Sequence, residues 1–144
     1  MSQPIEVTDE QVERAIALAV EARCRSYSPY SRFPMGAAVL DRDGASVVGA
    51  LVENVSLGLA MCAERVALFS AVAQGLVPHV LAVCSRRTDD KLTFPCGGCL
   101  QVALEIGGPN LQVVAVDPAG VHEISSVQTL LPRAPHRFTP QSAR

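Results

Sequence analysis

Val80-Leu81-Ala82-Val83-Cys84-Ser85, then Cys99-Leu100-Gln101-Val102-Ala103-Leu104-Glu105-Ile106 closed by Gly107-Gly108, then Leu111-Gln112-Val113-Val114-Ala115-Val116, decide the fold class. The two outer runs are short, apolar and rich in valine, which is how strands read. The middle run has helical length and ends on paired glycines. Strands that alternate with helices imply a sheet covered by helices, at least partly parallel.

The rest of the chain fits around this unit. Thr8 opens a helix with Gln11 as its capping-box partner. Val12, Ile16, Ala19 and Val20 then recur at helical spacing to about Arg25. A turn-rich loop from Ser26 to Pro34 leads to two strands, Gly36 to Leu40 and Ala45 to Val52. Asp41-Arg42-Asp43-Gly44 between them signals a hairpin. Cys62 to Gln74 reads as a second helix stopped by Gly75 at C′. It is apolar on nearly every face (Val66, Ala67, Leu68, Phe69, Ala71, Val72), so burial on two sides is expected. Val121 to Ile124 reads as a short strand and Ser126 to Leu131 as a last helix. The tail from Pro132 carries three prolines and three arginines and is expected to be extended. Residues 1–144 are expected to form one domain, with no internal repeat.

Composition narrows the function classes. The chain has 12 basic and 14 acidic residues, no tryptophan, two tyrosines and four phenylalanines. A nucleic-acid binder usually shows a basic stripe or a row of rings for stacking, so no nucleic-acid partner is expected. Nearly half the residues are hydrophobic and the mean hydropathy is +0.25. So apolar a chain is expected to bury part of its surface against another subunit. Met1-Ser2-Gln3-Pro4-Ile5-Glu6 lacks the basic and apolar regions of a signal peptide. No apolar run approaches the ~20 residues a bilayer span needs. The expectation is a cytoplasmic protein with no membrane partner. An odd number of cysteines, five, then favours metal binding or free thiols over a disulfide framework.

Three of those cysteines lie in two linked motifs, Cys62-Ala63-Glu64 and Pro95-Cys96-Gly97-Gly98-Cys99. Structural zinc is normally closed by four protein ligands, whereas catalytic zinc keeps a position open for water. Three sulfurs with a carboxylate two residues from the first therefore read as a hydrolytic zinc centre, with Glu64 placed to move protons. Cys62 falls at the start of the second helix, and Cys96 and Cys99 bracket the start of the third. Positive helix N-termini keep such thiols as thiolates, the form a metal needs. Gly97 and Gly98 allow the tight turn that aims both C-x-x-C sulfurs at one ion.

Zinc at +2 with three thiolates leaves the site at −1, which makes a bound water less acidic. Arg65, one helical turn after Cys62, is the expected counter-charge, donating hydrogen bonds to cysteine sulfur from behind the metal ligands. Other readings stand beside this one. The C-x-x-C pair alone suits a redox protein, but leaves Cys62-Ala63-Glu64 without a purpose. Cys24 or Cys84 would close a four-cysteine structural site, yet both sit in apolar periodic stretches and read as ordinary buried thiols. His79, His122 and His136 lie away from both motifs and read as surface or satisfied histidines.

The chain resembles the cytidine deaminase family, in its small homotetrameric form, from about Tyr27 to Pro132. The resemblance rests on Tyr27-Ser28-Pro29-Tyr30-Ser31-Arg32-Phe33, Gly36-Ala37-Ala38, Val52-Glu53-Asn54, Cys62-Ala63-Glu64-Arg65, Pro95-Cys96-Gly97-Gly98-Cys99 with Gln101, and Leu130-Leu131-Pro132. Such zinc deaminases use a His/Cys/Cys or Cys₃ site with a glutamate as general acid and base. The resemblance implies a three-layer α/β/α sandwich around a mixed sheet of about five strands. It also implies one Zn²⁺ per subunit on Cys62, Cys96 and Cys99, a nucleoside substrate, and a homotetramer or dimer. Phe33 matches the ring packed against the pyrimidine, and Glu53 the carboxylate that accepts from the ribose 3′-hydroxyl. The backbone around Ala63 and Phe94 matches the part that meets the base edge and the departing amine.

The implied reaction is hydrolysis of cytidine or deoxycytidine to the uridine product and ammonia. Zinc can lower the pKa of bound water from about 15.7 towards about 7. Glu64 takes the water proton, delivers it to the ring nitrogen, and then protonates the leaving nitrogen. Four positions depart from the family pattern. Leu51 stands where the family's sugar-binding stretch starts with Asn, and Leu57 where a Tyr reaches a neighbouring sugar. Leu100 replaces the Arg that commonly follows the last cysteine, and Phe138 lies further along the tail than the family's terminal Phe. Two readings of these changes are open: tolerated variants of an ordinary cytidine deaminase, or a shift to a modified cytosine nucleoside or an aminopyrimidine antibiotic. A zinc-stabilised scaffold domain without catalysis is the non-enzyme reading, and intact Glu64 argues against it.

Overall fold

The computed structural model describes residues 6–136. Five strands form one mixed sheet, side by side in the order Ser46–Ala50, Gly36–Leu40, Val80–Cys84, Gln112–Val116 and His122–Ser126. In chain order the elements are α1 (Asp9–Arg23), β1 (Gly36–Leu40), β2 (Ser46–Ala50), the 3₁₀ turn Leu57–Leu59, α2 (Ala63–Ala73), β3 (Val80–Cys84), α3 (Gly97–Gly107), β4 (Gln112–Val116), β5 (His122–Ser126) and α4 (Val127–Leu130). The pair β3–β4 is parallel, and β1–β2, β1–β3 and β4–β5 are antiparallel. The strand–helix–strand run read from Val80 to Val116 is thus the parallel unit, with α3 as its crossover.

Period-two alternation divides the core into two layers. Ala38, Leu40, Val80, Ala82, Cys84, Val114 and Val116 face α1 through Val12, Ala15 and Ala19. Ala37, Val39, Leu81 and Val113 face the other way, onto Ala63, Ala67, Leu68 and Ala71 of α2 and Ala103 and Leu104 of α3. With α1 on one side and α2 and α3 on the other, the molecule is the expected three-layer α/β/α sandwich around a mixed five-stranded sheet. No helix among the described residues is long and apolar enough to cross a membrane.

Local chemistry explains where the elements start and stop. The Thr8 hydroxyl accepts from the Gln11 amide at 3.2 Å while the Gln11 side chain accepts from the Thr8 amide at 3.0 Å, which completes the capping box. At the end of α2, Gly75 adopts φ +76° and donates to Val72, and Leu76 donates to Ala71, the paired bonds of a Schellman motif. The β1–β2 hairpin closes with Gly44 at φ +90° and the Asp41 carboxylate accepting from the Asp43 and Ala45 amides.

Helix α1 stops at Arg23, two residues short of the expected end. Three surface expectations need larger correction. Cys24, read as a buried thiol, caps α1 and is exposed, whereas Cys84 is buried as read. Helix α2 is not buried on two sides: Phe69 and Val72 are each 46% exposed. The sheet and α3 cover only part of its circumference, so an all-round apolar composition outran the available cover. The chain bends and turns at Leu131–Arg133, and the Pro135 carbonyl accepts from the Gln101 side chain on α3. Phe138 and the rest of the tail lie outside the described residues.

Two glycines set how closely the layers approach. A Cβ at Gly36 would strike the α1 backbone at Arg23 and Ala19, and one at Gly49 would strike the α2 backbone at Ala63 and Ala67. The second contact fixes α2, and with it Cys62 and Glu64, on the sheet. Gly49→Ala is therefore expected to cost roughly 1–3 kcal/mol, because backbone cannot rotate out of the way as a side chain can. Thermal unfolding checks this; an unchanged Tm would mean α2 slides freely on β2.

Candidate metal centre

The register of the sheet places Gly36, Ala50, Cys84, Val116 and His122 along one end. Beyond that end lie the loop before β1, the segment after β2 that leads to α2, and the loop from β3 to α3. All the expected site residues belong to these three segments or to the first turns they feed.

Cys62 is the N-cap of α2 and Cys96 the N-cap of α3, and neither side chain makes a capping hydrogen bond. Ser, Thr, Asp or Asn at that position would turn back onto the helix amides. A cysteine there places its sulfur at a positive helix end, where the thiolate form is favoured. Cys99 lies in the first turn of α3 and is fully buried. The Sγ atoms of Cys62, Cys96 and Cys99 all lie within 4.8 Å of one another. Cys96 and Cys99 are 3.6 Å apart, sulfur to sulfur. Tetrahedral zinc with Zn–S of about 2.3 Å needs sulfurs about 3.8 Å apart, so the donor set fits that ion.

The electrostatics of the cluster also ask for a cation. Burial pushes the Cys99 thiol far up from its ordinary value, and the Glu64 carboxylate and Cys62 push in the same direction. Cys96 goes the other way, held down first by the Cys99 amide, with further help from the Cys99 thiol and the Gly98 amide. Glu64 is only 3% exposed. Burial raises its pKa, against smaller opposing effects from Cys99, its own amide and Arg65. Its Oε1 has no hydrogen-bond partner among the described residues. A buried, unpartnered carboxylate oxygen beside three sulfurs is costly as structure alone.

Arg65 donates from Nη2 to Cys62 Sγ at 3.2 Å. That hydrogen bond is the main reason its pKa is pushed above the usual guanidinium value. The positive group reasoned from formal charge thus sits against one of the three clustered sulfurs.

The residues assigned to the substrate side are gathered at the same end of the sheet. Ala63 is buried at the start of α2, and Phe33 is half-buried with the guanidinium of Arg86 over its ring, 4.7 Å from the centroid. Glu53 Oε1 accepts from the amides of Tyr30 at 3.0 Å and Ser31 at 3.2 Å. The Ser31 side chain first, and then these amides, hold its pKa below the ordinary carboxylate value. Leu51 donates from its amide to the Met35 carbonyl at 3.0 Å, and its side chain packs with Met35 and Phe94 onto the α2–α3 core. Leu57 stands 82% exposed on the 3₁₀ turn, and Leu100 is buried in α3.

Sequence reasoning missed Arg86, and it missed Arg87, whose Nε donates to Asp117 Oδ2 at 2.9 Å. The Ser85-Arg86-Arg87-Thr88 stretch carried the signal, two adjacent arginines directly after a buried strand.

Residues 9–115 match the family described as "Cytidine and deoxycytidylate deaminase zinc-binding region". The chain is 40% identical to the cytidine deaminase of Halalkalibacterium halodurans over 116 residues, 81% of this chain and 87% of that one. It is 36% identical to a probable cytidine deaminase of Dictyostelium discoideum over 126 residues, 88% of this chain and 84% of that one. Among solved structures, the cytidine deaminase from Burkholderia pseudomallei superposes with a TM-score of 0.80 at 41% identity, covering 89% of this chain and 99% of that one. The Mycobacterium tuberculosis enzyme gives 0.72 at 35% identity, covering 89% and 98%. The matched stretch from 9 to 115 includes Cys62, Glu64, Cys96 and Cys99, and on that extent the chain belongs to the zinc-binding cytidine deaminase family.

Proposed function

We propose that the chain hydrolyses cytidine and deoxycytidine to uridine and deoxyuridine with release of ammonia. Cys62, Cys96 and Cys99 hold one zinc ion, and Glu64 carries the protons. One observation bears most of this reading: three sulfurs within 4.8 Å of one another meet a buried carboxylate whose Oε1 is unpartnered. Zinc, when bound, supplies a Lewis acid that brings the pKa of water from about 15.7 towards about 7.

The chain's own residues do the rest. Glu64 takes a proton from the attacking water and passes it to the ring nitrogen of the base. The same carboxylate then takes the second proton from the new hydroxyl on the ring carbon and delivers it to the amino nitrogen, so that ammonia departs as the carbonyl forms. Its burial keeps bulk water from intercepting the transfer. Arg65, bonded to Cys62 Sγ, offsets the negative charge of three thiolates. Phe33 packs against the pyrimidine, and the backbone around Ala63 and Phe94 meets the base edge. Glu53, fixed on one oxygen by two amides, accepts from a ribose hydroxyl.

The relatives named above are cytidine deaminases, which supports the ordinary nucleoside over a modified one. Leu51 is then a tolerated change, its side chain spent on packing against the buried cluster under α2 and α3. A homotetramer or dimer is supported by the apolar surface left open at Val55, Leu57, Leu59, Phe69 and Val72.

Purified zinc-loaded protein incubated with cytidine, deoxycytidine, free cytosine and sugar- or base-modified analogues tests the reading through ammonia release. Cytidine and deoxycytidine are expected to turn over fastest. Release from a modified analogue alone would overturn the substrate, and release from none would leave a scaffold.

A further inference from the structure

The loop from β3 to α3 is built around a contact that deamination, as described, does not use. Arg86 is exposed, yet its guanidinium lies 4.7 Å from the Phe33 centroid, within cation–π range. The loop fixes the arginine from both sides. The Ser85 and Thr93 hydroxyls donate to the Arg86 carbonyl at 3.1 and 3.4 Å. Thr88 and Lys91 exchange backbone hydrogen bonds at 3.0 and 2.9 Å. Between them Asp89 and Asp90 take φ of 48° and 61°, the two left-handed residues of a tight hairpin turn, a conformation that aspartate tolerates.

Arg87 ties this turn to the rest of the molecule. It donates to the Asp90 carbonyl at 3.2 Å and to Asp117 Oδ2 at 2.9 Å, while Asp117 Oδ1 accepts from the Ala119 and Val121 amides at 3.0 Å each. The backbone beside Arg86 is therefore tied, through Arg87, to the β4–β5 turn. A long charged side chain loses rotamer freedom when it lies on a ring. The braced loop spares the backbone part of the ordering cost and leaves only that of the side chain.

We propose that Arg86 is a positioning residue for the base: its guanidinium covers one face of Phe33 and holds the ring so that the other face receives the cytosine. The inference rests on Phe33 being the ring that packs against the pyrimidine. Arg86 then acts through Phe33 without touching the reacting atoms. Its loss weakens substrate binding and leaves the chemical step alone.

The test compares Arg86→Met, Arg86→Lys, Phe33→Leu and the double variant Arg86→Met/Phe33→Leu. It measures kcat and KM for cytidine, calorimetric binding of uridine, zinc content and Tm. Arg86→Met is expected to raise KM and weaken uridine binding about two- to fivefold, the range a single exposed cation–π contact supports. Zinc content, Tm and kcat stay as in the parent, Arg86→Lys restores part of the loss, and Arg86→Met adds nothing once Phe33 is leucine. An unchanged KM in Arg86→Met beside a raised KM in Phe33→Leu overturns the proposal and leaves the role of Phe33 standing. An unchanged KM in Phe33→Leu overturns that role and the proposal with it. A lowered KM in Arg86→Met would make the arginine a lid over the ring, and a loss of zinc or Tm would make it a structural brace; either result overturns positioning.

Discussion

Glu64→Ala is expected to cut ammonia release from cytidine by about 10⁴-fold, the upper end for general acid–base catalysis, because one carboxylate serves two proton transfers. Zinc content and Tm are expected to persist. The carboxylate is buried with its Oε1 unpartnered, so its removal deletes a group that is costly to bury. The alanine leaves a small space at the first turn of α2, where the helix is already anchored through Gly49. The measurement is ammonia release alongside metal analysis and thermal unfolding. Loss of zinc in the variant would make Glu64 part of the metal's support. Retained activity would remove it from the mechanism altogether.

Stripping the metal is expected to produce the largest change of all. With a strong chelator, activity falls to background and returns on adding Zn²⁺. Stability follows the metal by mass action: at free zinc a thousandfold above Kd, binding contributes about 4 kcal/mol. For a chain of this length that is a Tm difference of roughly 10 °C. The direction follows from the cluster itself. Without a cation, Cys99 is buried beside Glu64 and Cys62, whose charges oppose its ionisation. The metal-free protein can relieve this only by keeping protons on the sulfur or by letting the two helix ends part. Cys99→Ser, which keeps the shape and weakens the ligand, should mimic the chelator in both activity and Tm. Unchanged Tm and activity after complete metal removal would refute the zinc assignment.

Much of the fold was legible because its signals are local. The capping box at Thr8 and Gln11, the Asp-Gly hairpin and the Schellman glycine at Gly75 are each satisfied by hydrogen bonds within a few residues. The strand runs at Val80 and Leu111 read correctly because central strands with both faces covered need apolar residues at every position. Cys24 failed for the opposite reason. A helix pattern predicts a buried stripe but not where the cover ends, and α1 stops before Cys24. Phe69 and Val72 failed likewise, since composition records an apolar face without naming what lies against it.

The site divides along the same line. The amino-acid sequence alone pointed to the three sulfurs and the carboxylate, since C-A-E and P-C-G-G-C put them at the ends of two helices by spacing. It also determined the need for a counter-charge, which is arithmetic on formal charges. Only the tertiary structure decided that the two helix ends meet, that Arg65 reaches Cys62 Sγ, and that Arg86 lies over Phe33. Those contacts join segments separated along the chain or choose among the rotamers of long, flexible side chains. Spacing fixes neither, because both depend on how closely α2 and α3 pack on one sheet and on a loop braced by Arg87 and Asp117.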